Sequence, residues 1–128
     1  MNKTVCLGTE LEASIGFSRA CRIGNQIAVS GTAPIKDGQT LYEGDVYRQT
    51  LYCLGLSLDA VEQAGGKHDN IIRTRIMLTD ISRWQEAAKA HGELFSGVKP
   101  ACTFVEVKGF IDPKWLVETE MDCIIDEE

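Results

Sequence analysis

The stretch NIIRTRIMLTDISRWQEAAKAHGELFSGVKPACTFVEV, residues 70–107, changes its apolar period twice. Its first part alternates, with Ile72, Thr74, Ile76 and Leu78 on one side and Ile71, Arg73, Arg75 and Met77 on the other. A period of two predicts a strand. Ser82 with Gln85 three residues later reads as a capping box, and Trp84, Ala87, Ala88, His91, Leu94 and Phe95 then form a stripe at helical spacing. Gly97 ends that helix. Pro100 leads back into alternation, with Cys102, Phe104 and Glu106 on one side and Thr103, Val105 and Val107 on the other. The stretch is therefore a β-α-β unit.

Working outward, GFIDPKW (109–115) reads as a turn, and Leu116 to Ile125 as a long last strand. Glu118, Glu120 and Asp122 share one face of it, and Val117, Thr119, Met121, Cys123 and Ile125 the other. Upstream, Gly24-Asn25 separates two strand-like runs as a hairpin turn, and Asp37-Gly38 marks a second turn. Asp45 is a good N-cap for a helix carrying Val46, Cys53, Leu54, Leu58 and Val61, and Gly65-Gly66 stops it. The predicted fold is α+β: one domain over residues 1–128, with a mixed six-stranded sheet and two helices on one face. Two helices cover only one face. The other is part charged and part apolar, through Met77 and Phe104, and another copy of the chain is the simplest cover for it.

Composition excludes several classes. The net charge of -6 disfavours nucleic acid as the main partner, because the densest basic run is Arg73 and Arg75 inside a strand. No apolar run approaches the roughly 20 residues that span a bilayer. The N-terminus lacks the apolar core of a signal peptide, so a cytoplasmic location with no membrane partner is expected. The 5 cysteines are scattered without a CxxC pair, and neither histidine has a zinc-motif spacing. Reduced thiols are expected, with no disulfide framework and no metal.

RIGNQIAVSGTAPI (22–35), GDVYRQTLYCL (44–54), IIRTRIMLTDISRW (71–84), KPACTFVEV (99–107) and LVETEMDCII (116–125), taken in order, resemble the Rid family, also called the YjgF family. The resemblance implies a chorismate-mutase-like fold and a homotrimer with small-molecule clefts between subunits. It also implies hydrolysis of 2-imino or enamine acids to 2-keto acids and ammonia, without metal or organic cofactor. In the deaminase branch an arginine follows the "PA" of the strand and holds the substrate carboxylate, through two parallel hydrogen bonds of which a guanidinium is capable. Here that position is Cys102, and a thiol cannot make the grip.

Other pocket positions follow from the same resemblance. Phe17 stands at the aromatic pocket position, Ser30-Gly31 at the end of the second strand, Ala88 where the family has an asparagine, and Glu118 at the acidic residue that positions water. Glu120, on the same face, is the alternative. Each residue also has an ordinary reading. Cys102 is either a half-buried strand residue or a pocket thiol, as nucleophile or polar contact, whose activation needs a neighbouring base or cation such as His91 or Arg19. His91 is either a core histidine or a cleft residue one turn beyond Ala88. The carboxylates of the last strand are either a face ion-paired to Arg73 and Arg75 or, at Glu118, a general base on water. The implied function is C–N hydrolysis of an imine or enamine, its ligand keto- or imino-acid-like. The alternative is a metabolite-binding or regulatory trimer without catalysis. Ribonuclease activity, attributed to some relatives, is opposed by the acidic charge.

Overall fold

Two short turns set up the first half of the sheet. Strand β2 (Ala20–Ile23) and strand β3 (Gln26–Thr32) are joined by Gly24-Asn25, with Gly24 at φ +61. That positive angle at the first turn position matches the twist of the flanking strands and favours glycine. A smaller hairpin follows, β4 (Ile35–Lys36) and β5 (Gln39–Thr40), with Asp37 and Gly38 both at positive φ between them. Helix α2 (Val46–Gln63) begins as the sequence predicts: the Asp45 carboxylate accepts the Arg48 amide at 2.9 Å. The computed structural model describes residues 2–126.

The remaining elements are β1 (Asn2–Val5), α1 (Glu10–Ile15), β6 (Ile71–Leu78), α3 (Trp84–Phe95), β7 (Ala101–Glu106) and β8 (Val117–Ile124). The six-stranded sheet runs β1-β2-β3-β8-β6-β7. Only β6 and β7 are parallel, as the crossover through α3 requires. Ile27, Val29, Ile76, Leu78, Val117, Met121 and Cys123 are buried on the sheet, and Leu54, Val61, Ala87 and Phe95 of α2 and α3 close the same core. The α+β architecture with two helices on one face is thus as expected.

Several local readings need correction. A short strand and helix precede the Asp45 helix. Thr9 and Glu12 form a reciprocal capping box for α1, a signal of the same kind as the one sought at Ser82. The Ser82–Gln85 box does not form. Asp80 accepts both the Ser82 amide (3.0 Å) and the Ser82 hydroxyl (2.6 Å), which draws Ser82 into a 3₁₀ turn over Ile81–Arg83 and delays α3 to Trp84. Trp84 itself is 44% exposed, outside the buried stripe. In β6 a register shift between Ile71 and Arg73 buries Ile71 and exposes Ile72, the reverse of strict alternation. Phe104 lies opposite Ile76, on the helix face, and so is not part of the uncovered face.

That uncovered face carries an ion-pair network. Arg75 Nη1 lies 3.4 Å from Glu120 and 3.6 Å from Asp122, the pairing expected for these carboxylates. Around it Ile23, Ile72, Ile124 and Val105 are exposed.

Candidate functional site

Strand β3 bulges against β8 between Val29 and Thr32. The Ser30 hydroxyl donates to the Ser18 carbonyl at 2.6 Å, and the Ser30 amide to the Arg19 carbonyl at 2.9 Å. This fixes Gly31 against the last strand. A methyl group at Gly31 would lie 3.0 Å from Glu118 Oε1, so the missing side chain is what gives the carboxylate its room. Among the described residues no donor lies within hydrogen-bonding or ion-pair reach of Glu118. Burial pushes its pKa above the ordinary range, while the Arg19 charge pulls it back and Glu120 pushes it up again. A carboxylate with a raised pKa and open lone pairs can accept a proton from water. Glu120 is committed to Arg75 instead.

Arg19 is the residue around which this cluster is built. Its Nη2 donates to the Gly31 carbonyl (3.1 Å) and its Nη1 to the Thr32 hydroxyl (3.2 Å). Its Nε lies 3.7 Å from Glu12, and its guanidinium carbon lies 5.6 Å from the centroid of the Phe17 ring. The contacts of Arg19 and Gly31 thus link Phe17, Ser30 and Glu118. The sequence names Arg19 only as a candidate partner for Cys102 and does not single out Glu12. The Thr9–Glu12 spacing was the readable signal for Glu12; nothing local to the sequence places Arg19.

A second cluster lies at the other edge of the sheet. The Thr74 hydroxyl and His91 Nε2 share a hydrogen bond of 2.8 Å. The His91 ring lies 4.7 Å from Phe95 and 6.4 Å from Phe104, and Trp84 meets Phe104 edge-on at 6.0 Å. Burial lowers the His91 pKa, which keeps the ring neutral at neutral pH. Ala88 precedes His91 by about one helical turn. Cys102 stands opposite Thr74 and is exposed, not half-buried.

One chain does not join the two clusters. Strands lie about 4.8 Å apart, so β3 is roughly 14 Å and β2 roughly 19 Å from β7. Arg19 is therefore no partner for Cys102. Glu118 shares a row with Met77 and Val105 on the uncovered face, whereas Cys102 shares its row with the buried Thr74 on the helix face. Among the described residues no group of three or more His, Cys, Asp or Glu could hold a metal ion, and no helix is long and apolar enough to cross a membrane.

A family model described as Endoribonuclease L-PSP matches residues 7–125. The chain belongs to this family, the YjgF or Rid family. The Rid chain is 36% identical over 116 residues to an uncharacterised protein of Streptomyces coelicolor, covering 91% of this chain and 87% of that one. It is 30% identical over 110 residues to a RutC family protein of Pyrococcus abyssi, with 84% and 86% covered. Among solved structures, Rv2704 of Mycobacterium tuberculosis, a YjgF-family member, matches with TM-score 0.88 and 38% identity over 98% of this chain and 100% of that one. YyfA of Yersinia pestis, described as a Rid-family protein of unknown function, matches with TM-score 0.79 and 28% identity over 85% of this chain and 87% of that one. The expected chorismate-mutase-like α+β fold is the fold of these Rid proteins.

The thiols of this Rid chain provide a simple check on the placement of the two clusters. Cys6, Cys21 and Cys102 are exposed, and Cys53 and Cys123 are buried. Native alkylation followed by peptide mass spectrometry is expected to label Cys6 and Cys102 and to leave Cys53 and Cys123 until denaturant is added. Cys21 lies on the uncovered face, opposite Thr4 and Ala28. Its protection at high protein concentration, and labelling on dilution, would report that face as a subunit contact. Labelling of Cys123 as fast as Cys102 in the native protein would contradict the packing described.

Proposed function

We propose that this Rid chain is one subunit of a cofactor-independent homotrimer that hydrolyses the C–N bond of an imine or enamine, giving a carbonyl product and ammonia. Glu118 is the general base on water. Ser30 and Gly31 form one wall of the cleft, with Phe17 beside them. Ala88, His91, Cys102 and Phe104 of a neighbouring subunit form the other wall. The observation that carries this reading is the half-buried Glu118 carboxylate, which among the described residues has no hydrogen-bond or ion-pair partner and stands beside a glycine that leaves it room. Support for the assembly comes from the separation of the two clusters and from the uncovered sheet face.

The test combines mass and turnover. Light scattering is expected to give about three times the 14.1 kDa chain mass. Ammonia release from 2-iminopropanoate and 2-iminobutanoate, generated in situ, is expected to be slow, because Cys102 cannot bind a carboxylate as an arginine would. A lost charged hydrogen bond is worth about 1.5–3 kcal/mol, which places the deficit on the order of tenfold to a few hundredfold against an arginine-bearing relative. Cys102→Arg is expected to recover part of it. A rate equal to that relative's would remove the role assigned to position 102. A monomer at micromolar concentration would remove the cleft.

One observation favours a second reading, a metabolite-binding trimer without catalysis: Cys102 is exposed, and its thiol carries no positive charge to hold a substrate anion. Saturable binding of a keto acid with no turnover of any imine would select it.

A further inference from the structure

Arg19 belongs to a chain of polar contacts that reaches from the N-terminal segment to Gly31. The amides of Leu7, Gly8 and Thr9 all donate to the Glu12 carboxylate, at 2.9–3.2 Å. Glu12 is only 5% exposed, and the backbone donors around it lower its pKa against the opposing effect of burial. It is thus a fixed, ionised anchor. Arg19 sits against it, with its side chain 13% exposed. The guanidinium donates through Nη1 to the Thr32 hydroxyl and through Nη2 to the Gly31 carbonyl, and its Nε forms the ion pair with Glu12. Thr32 is held in turn by Ser57, whose hydroxyl donates to it at 3.1 Å. The cavity beside Arg19, lined by Val5, Val29, Thr32, Ser57 and Ala60 among others, measures about 60 Å³.

Arg19 and Glu118 therefore address the same glycine from two directions. The guanidinium holds the Gly31 carbonyl, and the carboxylate lies 3.0 Å from where a Gly31 side chain would begin. We propose that Arg19, anchored by Glu12, is a positioning residue for Glu118: its hydrogen bond to the Gly31 carbonyl fixes the β3 bulge that shapes the carboxylate's site. This inference rests on the assignment of Glu118 as the base. The other groups that bear on Glu118 are Glu120 on its own strand, which opposes ionisation, and the thiol of Cys53 on α2, which burial holds protonated. Arg19 is the one cation among them.

The test reads Glu118 directly. In protein labelled with ¹³C-glutamate, the Glu118 carboxyl signal is assigned by its loss in Glu118→Gln and titrated in wild type, Arg19→Lys and Arg19→Met. The midpoint is expected to rise by about one pH unit in Arg19→Met, a tenfold weaker acid, and by less in Arg19→Lys, which keeps the charge. If Arg19→Met does not fold, Glu12→Gln loosens the same anchor and is expected to move the midpoint the same way by a smaller amount. On an imine substrate, kcat is expected to fall at least tenfold in Arg19→Met with KM within about twofold. A folded Arg19→Met with an unmoved Glu118 midpoint, or a raised KM with unchanged kcat, overturns the proposal. Full activity of Glu118→Gln would instead overturn the base assignment, and the titration would still decide whether Arg19 governs the carboxylate.

Discussion

Glu118→Gln is expected to lower imine or enamine hydrolysis by about 10²–10⁴-fold, the range spanned by loss of a general base. The amide keeps the shape of the side chain and cannot take a proton from water. The same substitution has an opposite effect on stability. Burial raises the Glu118 pKa in the folded chain, so the folded state holds that proton more tightly than the unfolded state does. Stability then falls as pH rises from the unfolded value, about 4.3, through the folded one. At neutral pH the ionised Glu118 costs stability, and glutamine removes the cost. Thermal melts are expected to place Glu118→Gln level with or above wild type at pH 7, with the difference gone below about pH 4. A variant that loses both activity and stability at pH 7 would mark Glu118 as a structural residue.

Gly65→Val is expected to give the largest loss of stability among single surface changes. Gly65 sits at φ +98, which a β-branched residue adopts only with strain of about 1–3 kcal/mol. Its new Cβ would also fall against Arg22 Nη1. That nitrogen donates to the Ala64 carbonyl at 3.0 Å and closes the C-terminal end of α2, while Arg22 Nε holds the hairpin carbonyl of Gly24 at 2.8 Å. Displacing a charged hydrogen bond of this kind costs about 1.5–3 kcal/mol. Together about 3–5 kcal/mol follows, or a fall in Tm on the order of 10–20 °C for a chain of this size. Gly65→Ala avoids the β-branch and is expected to fall between. A melt of Gly65→Val within about 3 °C of wild type would show that the helix end relaxes freely.

These two residues also mark what was legible in the sequence. Gly65 could be read as a helix stop because the requirement is local: a chain leaving a helix needs a left-handed residue. The Gly24-Asn25 hairpin, the Asp45 cap and the two faces of β8 were readable for the same reason. The β6 bulge was not, because strict alternation is the only signal a strand offers before its partners are known. Ser82 misled because a capping box and a serine captured by Asp80 look alike until the backbone is placed. The separation of Cys102 from Glu118 depends on β7 pairing in parallel with β6, opposite Thr74 and Ile76, and no property of PACTFVEV itself reveals its neighbour. Arg19 was the least legible residue of the cluster. Its role is made of partners 7, 12 and 13 residues away in sequence, at Glu12, Gly31 and Thr32, and only β2–β3 pairing brings the last two to it.

The distance between the two clusters has a genetic reading. In the assembly proposed above, each cleft borrows one wall from each of two chains, so a lesion in the Glu118 wall and a lesion in the Cys102 wall need not add up. Two defective alleles, one for each wall, can together rebuild an undamaged cleft wherever the sound halves meet in a mixed oligomer. By the same logic a single allele damaged in one wall spoils a share of the clefts in every mixed ring that includes it, without unfolding anything. In the proposed assembly, complementation between alleles and partial dominance have one cause: the heritable unit is the chain, and the working unit is the seam between chains.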